Sequence, residues 1–238
     1  MQTSYTFTFK AELLPGYIAS IMTAFPMTLY LMAYSILFGL IIGLFLTFAQ
    51  VRGGAILAKI AHGYISLMRG IPSLVLIFLL FMGLPQVAPA LAKLPKSTFV
   101  LVAMTLISSA NLGEMMRASY LAVEHGQTEA ALSVGMTERQ ALTRIVLPQA
   151  VAIAVPNFGN NIIGIFKETA LAFSIGTMDL MGRATTISQA SYGSTRLEVY
   201  IAVAIIYWVI CLVLQLVTTL VERASSHGPS SRPKEASI

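Results

Sequence analysis

The chain has 238 residues, of which 56% are apolar and only 11% are charged, and its formal net charge is +5. An ordinary soluble domain has about 25% charged residues, so this composition argues against a soluble enzyme. It also excludes intrinsic disorder, which requires low hydrophobicity and high charge. The single cysteine, Cys211, excludes an internal disulfide framework and a cysteine-rich metal cage. Because the basic residues are dispersed among apolar stretches, no nucleic-acid partner is expected, and the composition is that of a membrane protein.

The first charge-free stretch, Leu13 to Val51, is 39 residues long. A helix needs about 20 apolar residues to cross the hydrocarbon, so this stretch is too long for one crossing. Prolines at positions 15 and 26 divide it into a short interfacial piece and a first span over residues 27–49. A sixth span would have to cross within the eleven residues from Pro15 to Phe25, which is too short. The N-terminus lacks the pattern of a cleavable signal peptide, so the first span is expected to act as an uncleaved insertion signal.

Four later apolar stretches each fit one helix, which predicts an all-α integral membrane protein with about five transmembrane helices. After 27–49, the predicted spans cover residues 64–84, 97–122, 149–175 and 199–221, within a membrane domain over 1–222. Residues 223–238 are rich in serine, proline and charge, and we interpret them as a disordered cytoplasmic tail.

Lysine and arginine residues predict how these spans are oriented, because they are enriched in cytoplasmic loops. Nine fall on the side that holds the C-terminus, and five fall on the other side: Lys10, Lys93, Lys96, Arg183 and Arg196. This asymmetry favours an external N-terminus and a cytoplasmic C-terminus. The connection between the third and fourth spans, residues 123–148, is then cytoplasmic.

The connection 123–148 is longer than most loops between adjacent helices. Its sequence is compatible with helix: Thr137 and Gln140 have the spacing of a capping box, and Pro148 fits a first helical turn. Gly135 interrupts the pattern, which predicts two short amphipathic helices, bent at this glycine, beneath the membrane. The segment is either an ordinary amphipathic loop or a protrusion that docks into a groove of a soluble partner.

The same connection carries a motif of Glu-Ala-Ala, three residues, Gly, nine residues, Ile, one residue and Leu-Pro. Through it the chain resembles the permeases of ABC importers, and the matching residues are Glu129, Ala130, Ala131, Gly135, Ile145, Leu147 and Pro148. Other stretches resemble the polar amino-acid branch of these permeases: Arg69-Gly70-Ile71-Pro72, Gly83-Leu84-Pro85, Glu114 with Arg117, and Lys167-Glu168-Thr169-Ala170-Leu171. Departures from the branch, among them Leu76, Asn111 and Asn161, leave the substrate open.

The resemblance implies the type I ABC importer permease fold in a bacterial inner membrane. Two permease chains, identical or different, would form the pathway, two separate ATPase subunits would bind the loop, and an extracytoplasmic solute-binding protein would deliver a polar amino acid. The sequence contains no phosphate-binding Gly-x-x-x-x-Gly-Lys-Ser/Thr loop, so ATP and Mg²⁺ are expected on the ATPase and no cofactor is expected in this chain.

The fourth span contains a polar stripe, because Asn157, Asn161, Gly164 and Glu168 are spaced by four, three and four residues. Polar groups in hydrocarbon are costly unless satisfied, so this face is expected to meet protein or water. The candidate substrate pathway consists of this stripe with Asn160 and Lys167 beside it, and Ser109 and Asn111 of the third span. Alternatively, Lys167 and Glu168 form a structural salt bridge, and the third-span residues only join helices.

Arg69, Pro72, Glu114 and Arg117 are candidate gate or structural residues. For Arg69, an anchoring role at a cytoplasmic helix end is the favoured alternative. Gly39 and Gly43 form a Gly-x-x-x-Gly pair, which indicates close helix packing.

No catalytic cluster or metal-ligand spacing is evident in the sequence. The alternative functions are an ion-coupled secondary amino-acid transporter, a membrane enzyme and an anchoring scaffold. The secondary transporter is disfavoured because no inverted repeat is evident and because it leaves the loop motif unexplained.

Overall fold

A computed structural model describes residues 9–192 and 194–225, and these residues form helices and turns without a strand. The helices are α1 (Leu14–Met22), α2 (Phe25–Arg52), α3 (Gly54–Gly70), α4 (Ser73–Phe78), α5 (Leu84–Val87), α6 (Lys96–Leu121), α7 (His125–Ser133), α8 (Glu138–Ala141), α9 (Leu147–Glu168), α10 (Leu180–Ala190) and α11 (Arg196–Ser225). Within the described part, four helical stretches are long and apolar enough to cross a membrane, and a bent pair makes a possible fifth.

The chain termini lie partly outside the described residues. Helix α11 continues to residue 225, so it includes the first three residues of the predicted tail. The rest of that tail, residues 226–238, lies outside the described residues, as does most of the N-terminal segment before Lys10.

The N-terminal stretch divides at its two prolines, and each proline lies in the first turn of a helix. Helix α1 is the short piece that the sequence predicts, and α2 is a long apolar helix. Glycines let α2 pack directly against α6: a Cβ on Gly39 would lie 2.9 Å from the Ser108 Cβ, and one on Gly43 would lie 3.0 Å from the Gly113 nitrogen. The close packing predicted from the Gly-x-x-x-Gly pair is therefore confirmed. Gly39 lies against Ser108, and Gly43, further along α2, lies against Gly113, further along α6. The two helices are therefore parallel.

The second predicted span is not one straight helix. The sequence predicts a span over 64–84, whereas the structure has α3 followed by a helical stretch over Ser73–Val87, with a bend of 101° between them. Pro72 explains the break, because a proline disfavours helical backbone at the residue before it, and Ile71 is extended. Arg69 therefore lies at the end of α3 and not at the start of a spanning helix, and its charge there complements the helix dipole.

Helix α6 is the centre of the bundle and is the most buried of the spans. Its apolar side chains contact α2, α3, α4 and the 3-10 turn over Thr169–Ile175, and they form the largest core cluster. We call the end of the bundle where α6 leads into α7 the loop end, and the opposite end, where α2, α6 and α11 begin, the distal end.

The helix that contains the polar stripe begins well before the predicted span. From Glu138 to Ile175 the chain is one continuous helical stretch of 38 residues. A π turn over Leu142–Val146 joins α8 to α9, and α9 accommodates Pro148 in its first turn. The boundary predicted at residue 148 therefore corresponds to no break in the helix.

Helix α10 at the distal end has no counterpart among the predicted elements. Its N-cap is Asp179, whose carboxylate accepts hydrogen bonds from the backbone N–H groups of Gly182 at 2.8 Å and Met181 at 3.2 Å. The hydroxyl oxygen of Thr28 on α2 accepts a hydrogen bond from the Leu180 N–H at 3.1 Å. These bonds satisfy the free N–H groups of the first turn and attach α10 to the bundle.

Candidate coupling loop and translocation pathway

The loop between α6 and α9 contains two short helices with a sharp turn between them. Gly135 lies in this turn with φ of +84°, a backbone conformation that favours glycine. After the turn, the hydroxyl oxygen of Thr137 accepts a hydrogen bond from the Gln140 N–H, and the Gln140 side chain accepts one from the Thr137 N–H. The capping box predicted from the spacing is therefore confirmed, as is the bend at Gly135.

Motif residues of the loop divide into buried and exposed ones. Ala131 is buried, while Glu129, Ala130 and Gly135 are exposed. Two apolar side chains beside them also face outward: Val134 is 76% exposed and Leu132 is 42% exposed. These two side chains are available for contact with another protein.

The base of the loop is packed against the start of α9. Val123, Val146 and Ala150 form a small buried cluster, with Tyr120 and Leu142 packed against it. The Gln149 side chain also donates to the Gln127 side chain at 3.3 Å. Of the remaining motif residues, Ile145 is half-buried, and Leu147 and Pro148 are exposed. Displacement of the loop would therefore act on the first turns of α9.

The polar stripe lies on one continuous helix, α9. Asn157, Asn160, Gly164 and Lys167 are exposed, and Asn161 is half-buried with its amide donating to the Asn157 carbonyl at 2.9 Å. Exposed amides on a membrane helix are costly against hydrocarbon. This face of α9 therefore requires protein or water beside it.

Glu168 is joined to the break between α3 and α4. Its carboxylate accepts a hydrogen bond of 3.1 Å from the hydroxyl of Ser73, the first residue of α4. Among the described residues, no ion pair joins Glu168 to Lys167, and the Lys167 side chain is exposed. With a rise of about 1.5 Å per residue, Glu168 lies roughly 30 Å from the start of α9, near the distal end.

The third-span candidates differ in burial. Ser109 is fully buried, and its hydroxyl donates to the Leu106 carbonyl at 2.7 Å and bonds to the Tyr64 hydroxyl at 2.7 Å. These contacts join α6 to α3 and favour the helix-packing alternative for Ser109. Asn111 is half-buried, so it is accessible in part.

The four gate or structural candidates do not form one cluster by direct contact. Glu114 and Arg117 form an ion pair on the last turns of α6, and both side chains are about a quarter exposed, at 24% and 26%. Arg69 is exposed at the end of α3, and Pro72 is exposed at the break that follows it.

Burial dominates the electrostatics of the segment between α9 and α10. Asp179 is completely buried, and this burial raises the pKa of its carboxyl to about 6. The two backbone N–H groups that it caps act in the opposite direction, because they favour the charged form.

Sequence reasoning missed Ser73 as the partner of Glu168, Asp179 as a cap, and the crossing of α9 with α11. At that crossing, a Cβ on Gly159 would lie only 1.8 Å from the Thr218 Cγ2. The available signals were weak: a serine that follows a proline and an aspartate that precedes a short polar helix are common patterns.

Residues 35–227 match the family described as binding-protein-dependent transport system inner membrane component. The chain belongs to this family. The permease is 40% identical over 207 residues to the probable amino-acid permease protein YxeN of Bacillus subtilis (strain 168), with 87% of this chain and 92% of that protein covered. It is 37% identical over 211 residues to the L-cystine transport system permease protein TcyL of the same organism, with 87% of each covered.

The permease also resembles a solved structure. A chain in the crystal structure of an amino acid ABC transporter with histidines matches it with a TM-score of 0.84 and 33% identity, covering 91% of this chain and 99% of that chain. The expected type I ABC importer permease fold is confirmed by this likeness. Family membership makes the chain a transport component and not an enzyme.

Proposed function

We propose that this permease transports a polar amino acid inward, that ATP hydrolysis on two copies of a separate ATPase drives it, and that an extracytoplasmic solute-binding protein delivers the substrate. The observation that carries the proposal is the exposed two-helix loop, anchored on α9 and presenting Val134 and Leu132 outward. The names of YxeN and TcyL support an amino acid as the substrate.

In this proposal the loop end is cytoplasmic and contacts the ATPase, which binds ATP and Mg²⁺. Glu129, Ala130 and the bend at Gly135 present the contact surface, while Ala131 packs inward and Ile145, Leu147 and Pro148 connect the loop to α9. This exposed surface would contact a groove of the soluble partner. The distal end and the N-terminus are then external, in line with the lysine and arginine count.

A second permease subunit, identical to this chain or a related one, would cover the polar face of α9. Asn157, Asn160, Asn161, Gly164 and Lys167 would then line the space between the two subunits, and half-buried Asn111 would contribute from α6. Glu168 supplies a carboxylate at the distal part of this face, where it can meet the ammonium group of an amino acid. Its bond to Ser73 holds it beside the break of the second span.

The coupling role is tested with Gly135→Asp in the complete importer, reconstituted in proteoliposomes. The substitution places a side chain where φ is +84° and adds a negative charge to the contact surface, so we expect ATP-driven uptake to be lost while membrane insertion persists. Gly126→Asp is the matched control, because Gly126 is also exposed on the loop and lacks a positive φ. Uptake at the normal rate by the Gly135 variant would contradict the coupling role.

The pathway role is tested with Glu168→Gln, which keeps an acceptor for the Ser73 hydroxyl and removes the charge. We expect the KM or the order of preference among amino acids to change while assembly with the ATPase stays normal. Uptake kinetics identical to those of the unchanged protein for every amino acid tried would remove Glu168 from the site. Uptake that survives loss of the ATPase but collapses with an uncoupler would instead support an ion-coupled transporter.

A further inference from the structure

A groove between α2 and α3 contains none of the candidate coupling or pathway residues. Its volume is about 340 Å³, and its lining includes Phe45, Leu46 and Ala49 of α2 and Leu57, Ile60 and Ala61 of α3. The Thr47 hydroxyl on α2 donates to the Gly113 carbonyl at 2.9 Å, which places this part of α2 beside the last turns of α6. The α2–α3 groove therefore lies in the half of the bundle near the loop end.

The lining of this groove is apolar and accessible. Phe45, Leu57 and Ile60 are 72%, 53% and 64% exposed. Among the described lining residues, only Tyr64 has a polar side chain, and its hydroxyl donates to the Leu106 carbonyl on α6 at 3.1 Å. A polar ligand in the groove would be left without a hydrogen-bond partner, which is costly within a membrane. The groove is therefore suited to a hydrocarbon chain.

Arg52 places a positive charge where the groove meets the turn between α2 and α3. It is the last residue of α2 and follows Phe45 and Ala49 by seven and three residues, so the three side chains share one face of the helix. Arg52 is exposed, and within the described part of the chain it forms no ion pair. The sequence from residue 13 to residue 113 contains no acidic residue, so neither α2 nor α3 supplies a counter-charge.

The first turn of α3 adds backbone donors beside Arg52. The N-cap of α3 is Gly53, which has no side chain to accept from the N–H groups of that turn. Gly54 is exposed, and a Cβ placed on it would have no atom within 4 Å, so the backbone there is accessible. Free N–H groups at a helix N-terminus favour an anion, and a phosphate in particular. The guanidinium and these N–H groups therefore present positive charge at the mouth of the groove.

We infer that the α2–α3 groove binds an anionic phospholipid, with one acyl chain in the groove and the phosphate at Arg52 and the first turn of α3. The acyl chain alone gives little selectivity, since the surrounding lipid is equally apolar, so the charge at the turn supplies the preference for an anionic headgroup. The proposed orientation places this end at the cytoplasmic leaflet, whose surface potential is negative. The inference goes beyond the proposed function and does not depend on the amino acid transported.

The test uses the complete importer in mixed micelles of detergent and a phosphatidylglycerol that has a photoactivatable diazirine in one acyl chain. Mass spectrometry of peptides locates the light-induced labelling, and unlabelled phosphatidylglycerol or phosphatidylcholine is added as the competitor. We expect saturable labelling within residues 42–64. Phosphatidylglycerol should displace it at a mole fraction about fivefold or more below that of phosphatidylcholine, since one cation near an anionic lipid surface contributes about this factor.

Two charge variants locate the headgroup. Arg52→Gln removes the cation at the mouth of the groove and should reduce the advantage of phosphatidylglycerol by about fivefold. Lys59→Gln is the matched control, because Lys59 is also an exposed cation but falls on the opposite face of α3 from Leu57 and Ala61. Its removal should change the advantage by less than about twofold, since charges separated by a Debye length are largely screened.

Two apolar variants test whether the acyl chain occupies the groove. Ala49→Leu fills part of the space between the helices and should reduce labelling within residues 42–64 by about twofold or more. Ala55→Leu adds the same atoms at an exposed position of α3 outside the lining, so labelling should stay unchanged.

Three outcomes overturn the inference. Equal displacement by the two lipids would show that the groove takes boundary lipid without selectivity. Absence of labelling within residues 42–64 of the unchanged importer would show that protein, such as the second permease subunit, covers the groove. Equal losses for Arg52→Gln and Lys59→Gln would show diffuse attraction to a basic surface and no defined site. The first two outcomes are measured on the unchanged protein, so they do not depend on the folding of any variant.

Discussion

The crossing of α9 and α11 leads to a quantitative prediction for Gly159→Ala. The added Cβ would lie 1.8 Å from the Thr218 Cγ2, 2.6 Å from its Oγ1 and 2.8 Å from its Cβ. Rotation of the Thr218 side chain moves the first two atoms but leaves its Cβ in place. Carbon atoms pack at about 3.5–4.0 Å, so the two helices would have to separate by about 1 Å.

Such overpacking costs about 1–3 kcal/mol, and the separation would also alter the position of the polar stripe on α9. For a chain of this size we expect the unfolding temperature in detergent to fall by roughly 2–10 °C. Thermal unfolding of the purified permease measures this change directly.

Two further variants test whether the loss of stability arises from the contact between Gly159 and Thr218. Gly164→Ala on the same helix has no atom within 4 Å of its new Cβ, so its unfolding temperature should stay close to that of the original. Adding Thr218→Ala to Gly159→Ala removes the two shortest contacts and should recover part of the loss, since residues in contact are not additive. An unfolding temperature for Gly159→Ala equal to that of Gly164→Ala would refute the described crossing.

Three other predictions concern single side chains. Because burial raises the pKa of Asp179 from 3.8 to about 6, the protonated form stabilises the folded state, and this contribution, on the order of 2–3 kcal/mol, is lost as the pH rises from 4 to 6. The unfolding temperature of the original protein should fall over this pH range. The variant Asp179→Asn, which keeps a capping side chain but does not titrate, should not show this fall. Thr137→Ala removes the capping box with Gln140 and lowers the local stability of α8 by about 1 kcal/mol. The backbone amides of α8 should then exchange hydrogen about fivefold faster, as measured by mass spectrometry. The exchange rates of the α6 amides should stay unchanged. Glu114→Gln breaks the partly exposed pair with Arg117 and should lower the free energy of unfolding by less than about 1 kcal/mol in denaturant titrations; a larger loss would show a wider network at this site.

The sequence predicts most spans well because hydropathy measures the property that places a helix in a membrane. The charge-free stretches correspond to α2, α6 and α11, and the loop geometry follows from two local signals, a glycine at residue 135 and the Thr137 capping spacing. Local signals of this kind depend on residues close together in the chain, so a single sequence contains them in full.

The break between α3 and α4 could not be predicted in the same way. Apolar residues continue on both sides of Pro72, and hydropathy carries no information on the direction of a helix after a proline. The predicted straight span over residues 64–84 was wrong for that reason. The bond between Ser73 and Glu168 joins residues 95 positions apart, so it depends on tertiary packing that no local pattern specifies.

The continuous helix from Glu138 to Ile175 has a mechanical consequence. With its 38 residues it is about 55 Å long, so a tilt of about 5° at one tip shifts the other by roughly 5 Å. A small rotation of this helix near Glu138 can therefore displace the part around Glu168 by about the width of an amino-acid side chain. Neither end of the helix has to change its fold.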